Sequence, residues 1–114
     1  MEPDGPDLAQ LRRGVVQHCV LALLEDEPRY SYDLVTALGE HTPLVTSEGT
    51  IYPLLSRLRR QGLVTTSMRD SEVGPPRRYY ALTDAGRQHL AAFRSTWVAF
   101  RDATDTVLAT EEPT

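Results

Sequence analysis

Apolar residues in the first third of the chain recur in steps of three and four. Leu8, Leu11, Val15, Val16, Cys19, Val20, Leu23 and Leu24 fall on one broad face, the pattern of an amphipathic helix. The spacing predicts a helix over residues 8–25, with Asp7 as its cap and Pro28 ending it. Glu25, Asp26 and Glu27 stand where the helix dipole disfavours acids, and they read as a solvated turn. A shorter helix over residues 31–40 turns Tyr32, Val35 and Leu38 inward. Thr42, Pro43 and Leu44 connect it to a third helix. That helix follows Ser47, whose hydroxyl suits the free N–H groups of a first turn. Ile51, Leu54, Leu55 and Leu58 form its buried stripe, and Gly62 marks its stop, where left-handed backbone is favoured. Gly49 and Pro53 sit near its start although both are poor helix residues.

The pattern then changes. "LVTTSMRD" and "RRYYALT" are β-favouring runs separated by Ser71 to Pro76, which reads as a hairpin with a long turn. Tyr79 and Tyr80 alternate across a strand, so one faces the core and one faces out, with the choice left to the register. Thr83 and Asp84 open a last helix, reaching about residue 109. Its positions Leu90, Phe93, Trp97, Phe100, Thr104 and Val107 alternate three and four, as in a packed helical seam. A helix of this length, about 38 Å, overhangs so small a domain, so part of it must pack on another chain. The order of helix, helix, helix, hairpin and long helix is that of a winged helix-turn-helix. The fold class is α+β, mainly α. The division is a disordered tail at 1–7, a winged-helix domain at 8–82, a dimerisation helix at 83–110 and a second tail at 111–114.

Composition narrows the function. At 114 residues with a net charge of −4, the bulk figures do not suggest a polyanion-binding protein. Every cation is Arg, and Cys19 is the single cysteine, as in a reducing compartment. No apolar run is long enough to span a membrane and the acidic N-terminus is unlike a signal peptide, so a cytoplasmic location is expected. His18, His41 and His89 lack metal-ligand spacing, Cys19 lies on an apolar face, and no Gly-rich phosphate loop follows a strand. No enzyme, cofactor or metal is expected.

The segments "LRRGVVQHCVLALLEDEPRYSYDLVTAL", "SEGTIYPLLSRLRRQGLV" and "GPPRRYYALTDAGRQHL" closely resemble the PadR family of bacterial transcriptional regulators, over about residues 11–108. The resemblance rests on Ser47, Gly49, Thr50, Ile51, Tyr52 and Pro53 combined with Gly74, Pro75, Arg78, Tyr79, Tyr80 and Leu82. It implies a winged-helix homodimer, generally a repressor. The single terminal helix resembles the small subfamily, which lacks the larger C-terminal domain of other members.

Local charge supports a DNA partner independently. Between Ser47 and Tyr80, six Arg face three acids, a local charge of +3. Local potential governs approach to a polyanion. Ser47 caps the reading helix, where free N–H groups can bind phosphate, and Gly49 leaves room for close approach to the duplex. Thr50 and Tyr52 suit base edges or thymine methyls. Glu48 either accepts from a cytosine amine or favours the helix dipole. Arg57 is expected at a phosphate. Arg77 and Arg78 on the wing suit phosphate or a narrow minor groove. Tyr30 and Ser31, opening the second helix, are expected at phosphate, and Tyr32 in the core.

A dimer would read a palindromic operator with half-sites about one helical turn, or a multiple of it, apart. Phe93, Trp97 and Phe100, with Val15 and Cys19, are the expected dimer element. Trp97 is either a buried interface anchor or a wall of a ligand site. For some small relatives the resemblance implies a flat hydrophobic pore in which such a Trp sandwiches planar drug-like molecules. The expected partners are double-stranded DNA, a second copy and a small hydrophobic effector. The alternative is a winged-helix module that serves only protein interaction.

Overall fold

In a computed structural model, which describes residues 6–109, four helices pack with a small antiparallel sheet. The elements run α1 (Pro6–Leu23), β1 (Arg29–Tyr30), α2 (Ser31–Gly39), a 3₁₀ turn over Thr42–Leu44, α3 (Glu48–Arg60), β2 (Val64–Arg69), β3 (Arg77–Leu82) and α4 (Asp84–Leu108). Of the expected tails, residues 1–5 and 111–114 lie outside the described residues. Pro6 and Asp7 are already helical, so Asp7 does not cap α1 but lies in its first turn, where an acid favours the dipole. The far end also stops short of residue 25. Leu24 N–H donates to the Leu21 carbonyl and Glu25 N–H to that of Ala22, a tightened last turn that tucks Leu24 into the core.

The inward face of α2 differs from the expected one. Ser31, Leu34 and Leu38 are buried, Val35 packs beside them, and Tyr32 is 56% exposed. The reason is the strand before it. Arg29 and Tyr30 pair with Tyr80 and Tyr79 of β3, which fixes the phase at which α2 starts. Tyr32 then stacks outside the core on Tyr30, with ring centroids 6.2 Å apart. A strand of two residues is too short to show a period, and the sequence pattern missed it.

The rest of the architecture follows the pattern closely. Ser47 Oγ accepts from Thr50 N–H and caps α3, whose buried residues are Ile51, Leu54, Leu55 and Leu58. Gly62 adopts φ +77, the left-handed stop. The hairpin pairs Val64 with Leu82 through Arg69 with Arg77, and β3 is the central strand of the order β1-β3-β2. This register resolves the tyrosines: Tyr80 is buried and Tyr79 lies half-buried on the outer face.

Thr83 caps α4. Its N–H donates to the Leu63 carbonyl at 3.1 Å and its Oγ1 to the Gly62 carbonyl at 2.7 Å, so α4 starts docked on the turn after α3. Leu90 belongs to the same core as α1–α3 and the sheet. Beyond Leu90 no residue of α4 is fully buried, and the molecule measures 61 × 33 × 22 Å. Glu25 is not merely solvated: Arg94 donates to its carboxylate through two 2.8 Å bonds. Those bonds hold the Glu25 carboxyl below its ordinary pKa and raise that of Arg94. Arg87 adds a bond to the Glu25 carbonyl. This latch from the turn after α1 to α4 gives Glu25 its role.

Candidate nucleic-acid interface

The outward stripe of α3 lies opposite its buried stripe. At 3.6 residues per turn, Gly49, Pro53, Ser56 and Arg60 share that face, and all four are exposed. Three of them are small or compact, so a partner can approach the backbone. Nothing inside the chain requires Gly49. A Cβ there would meet only Ser47 Oγ, at an ordinary 3.6 Å. A glycine that weakens its helix by about 1 kcal/mol without an internal packing reason fits a close external contact.

Pro53 sits inside α3 and has no N–H, so the bond to the Gly49 carbonyl cannot form. Its outward position leaves that carbonyl on the solvent side, not orphaned in the core. Pro53→Ala restores the bond and is expected to stabilise the domain by about 1 to 2 kcal/mol. The full interior-proline penalty of about 3 kcal/mol is offset partly by a looser unfolded chain. Thermal melting should show a midpoint several degrees higher; a lower midpoint would mean that the proline holds a needed bend.

Tyr52 is 50% exposed and flanks this stripe toward the wing. Ser31, expected at a phosphate, is 6% exposed and its Oγ donates to Tyr52 Oη at 2.9 Å. The hydroxyl of Ser31 is therefore engaged inside the protein, and it positions Tyr52. Because Tyr52 Oη accepts that bond, its own proton remains available to donate outward. Tyr52, Glu48 and Ser56 form one wall of an open cleft of about 450 Å³; Tyr30, Tyr32, Arg77 and Arg78 are among the residues that line the rest.

The wing side of the cleft concentrates cations. Arg69 and Arg77 are paired directly across the hairpin, where like charges repel. Each is braced on a tyrosine: Arg69 lies 4.5 Å from the Tyr79 ring centroid and Arg77 4.6 Å from that of Tyr30, both within cation–π range. Tyr30 and Tyr79 also touch, at 5.5 Å. Arg78 is exposed on the alternate face of β3. An array of like charges propped on aromatic rings is suited to receive an anion. Sequence reasoning singled out Arg77, Arg78 and Tyr30 but missed Arg69, Tyr79, Ser56 and Arg60. The last two were available from helix periodicity; Arg69 and Tyr79 required the hairpin register.

Thr50 Oγ1 lies 3.3 Å from Ser47 Oγ. Arg57 is exposed, its Nη2 donating to Gln17 Oε1 at 3.2 Å. Both residues sit on the flank of α3 away from the wing.

A separate aromatic ladder joins α1 and α4. His18 stacks on Phe93 at 3.6 Å and on His89 at 5.4 Å. Phe93 stacks on Trp97 at 6.1 Å, and Trp97 lies 6.4 Å from Phe100. Phe93 and Trp97 are half-buried, whereas Phe100 is 61% exposed. Val15 is also half-buried. Burial lowers the His18 pKa, aided by repulsion from His89, and His18 Nδ1 is buried without a hydrogen-bond partner. Cys19 packs against the core, and burial raises its thiol pKa. Among the described residues, no group of three or more His, Cys, Asp or Glu is placed to hold a metal. None of the described helices is long and apolar enough to cross a membrane.

Comparison with known proteins bears on this geometry. The model of the transcriptional regulator PadR-like family matches residues 20–92. Among solved structures, the chain is similar to a PadR-like transcriptional regulator from Bacillus cereus, with 35% identity over 90% of this chain and 99% of that one, at a TM-score of 0.80. A PadR family transcriptional regulator from Eggerthella lenta is 34% identical over 90% and 89% of the two chains, with a TM-score of 0.80. A Streptococcus transcriptional regulator is 33% identical over 86% and 96%, with a TM-score of 0.75. No curated protein matches the chain.

Proposed function

The chain belongs to the PadR-like family of transcriptional regulators, and from that premise we propose that it is a dimeric, sequence-specific DNA-binding repressor released by a small hydrophobic ligand. The observation that carries the DNA-reading role is the exposed stripe Gly49–Pro53–Ser56–Arg60 set beside the braced wing cations Arg69, Arg77 and Arg78. The helix supplies a compact surface for the major groove, and the wing supplies phosphate contacts that set its register. Glu48, at the first turn of α3, favours the helix dipole. The net negative charge elsewhere on the chain orients the basic face toward the polyanion.

Dimerisation is supported by α4. Val98, Phe100, Val107 and Leu108 are exposed on it, and it leaves the domain core after Leu90. A second copy packed there would cover the aromatic ladder and set two reading helices against two half-sites. The ligand would lie against Trp97, between the copies, where a planar aromatic molecule can stack.

Selection from a random duplex library tests the reading. The expected product is an inverted repeat, bound by a species of twice the chain mass in sedimentation, with Trp97 fluorescence quenched by planar aromatic compounds. Binding without sequence preference, or no binding at low salt, would favour the protein-interaction module instead. A monomer at micromolar concentration would overturn the dimer.

A further inference from the structure

The flank of α3 away from the wing borders a second cleft, formed with α1. It has a volume of about 570 Å³, and Arg12, Arg13, Gln17, Thr50 and Arg57 stand around it. No acidic side chain lines it among the described residues, although the chain carries a net charge of −4. Val16, Pro53 and Leu54 contribute apolar wall, so the cations stand on a surface of reduced polarity, where their field is less screened.

Two of the three Arg are held in place. Arg57 is tied to Gln17 across the cleft at 3.2 Å. Arg12 Nε donates to the Pro43 carbonyl at 2.9 Å, which fastens α1 to the turn before α3. Arg13 is exposed beside them. A guanidinium presents more donors than one such bond uses, so Arg57 keeps N–H groups for an anion. Thr50 lines the same cleft.

Placement decides what the anion is. Thr50, Pro53 and Arg57 line this cleft, while Glu48, Tyr52 and Ser56 line the wing cleft. The two clefts therefore bracket the outward stripe of α3. A helix of about 10–12 Å diameter in a major groove about 12 Å wide has one phosphate strand on either side. We infer that the α1–α3 cleft is a second phosphate-binding site, which takes the strand opposite the wing through Arg13, Arg57 and Thr50. This inference rests on the DNA-reading role proposed above and extends it to α1. With both strands held, the orientation of the helix in the groove is set from two sides.

The test uses the full chain and a duplex that the wild-type protein has itself selected from a random library. Arg13→Ala/Arg57→Ala should lower the slope of log K against log salt by about 2 per half-site, about 4 for the bound dimer. It should weaken all duplexes about equally, leaving base preference intact. Within each half-site, phosphate-ethylation interference should lose its signal on one strand only, with the wing-side strand unaffected, and the two half-sites should lose it on opposite strands. Gln17→Ala, which removes the tie but no charge, should leave the slope unchanged. Circular dichroism melts confirm that each variant folds. An unchanged slope and an unchanged ethylation pattern in the double variant would overturn the inference, even with Arg77→Ala/Arg78→Ala impaired. Saturable stabilisation by inorganic phosphate with an unaltered DNA slope would also overturn it, by assigning the cleft to a free anion. Failure of the wild type to bind any duplex would instead remove the underlying DNA-reading role.

Discussion

Gly86→Ala should destabilise the protein by about 3 kcal/mol or more, the upper end of what overpacking a core causes. Gly86 is buried in the first turn of α4. A Cβ built there would run into the Leu63 carbonyl oxygen, and would stand 3.1 Å from the carbonyl carbon and 3.2 Å from Leu82 Cδ1. The obstruction is backbone, not a side chain that can rotate away. That carbonyl also accepts from Thr83 N–H at 3.1 Å, so it cannot retreat without breaking the cap contact that seats α4. Relief would require α4 to lift from the α3–β2 turn, exposing Leu90, which is 2% exposed in the fold. For a domain of this size each kcal/mol corresponds to roughly 4–8 °C in melting midpoint, so a drop of roughly 12–24 °C or more is expected. Gly49→Ala is the control. Nothing inside the chain opposes that methyl, and the gain in helix propensity should leave stability level or up to about 1 kcal/mol higher, while DNA affinity falls. Equal melting of wild type and Gly86→Ala would show that the turn after α3 yields, contrary to its bonding.

Arg77→Ala/Arg78→Ala should weaken DNA binding at moderate salt by roughly 30- to 100-fold per half-site, from two charge-assisted contacts of about 1 to 1.5 kcal/mol each in every protomer. The salt slope should fall by about 2 per half-site, about 4 for the bound dimer, and the loss should be nearly the same for every sequence, because phosphate contacts carry no base information. Stability should change little. Both side chains are exposed, and removing Arg77 relieves the repulsion from Arg69 opposite. The double variant therefore separates binding from folding: its melt stays close to wild type while its binding isotherm shifts. Equal affinity and slope in the variant would take the wing out of the interface.

Much of this fold is legible because helices with one buried stripe advertise themselves. Ile51, Leu54, Leu55 and Leu58 define α3 by spacing alone, and Ser47, Gly62 and Thr83 mark boundaries through local chemistry that needs no distant partner. The misreadings share one cause. Tyr32, Val35 and Leu38 satisfy helical spacing as well as Ser31, Leu34 and Leu38 do. The pattern, scored on apolarity, preferred a tyrosine to a serine. The choice between those phases was made by the pairing of Tyr30 with Tyr79, a contact between residues far apart in the chain. Ser31 looked like a surface hydroxyl until its partner, Tyr52, was in place. Glu25 looked misplaced until Arg94 reached it.

By itself, then, the amino-acid sequence determined the order of the four helices and the hairpin, the caps of α3 and α4, the stop at Gly62, the buried stripe of α3 and the basic character of the segment from Ser47 to Tyr80. These depend on local periodicity and on residue chemistry within a few positions. Only the tertiary structure decided which tyrosine faces out, that Ser31 holds Tyr52, that Arg69 and Arg77 are braced on tyrosine rings, and that Gly86 must lack a side chain. Each of those is a meeting of groups 20 or more residues apart or across a strand register, where a shift of a single residue turns a side chain to the other face.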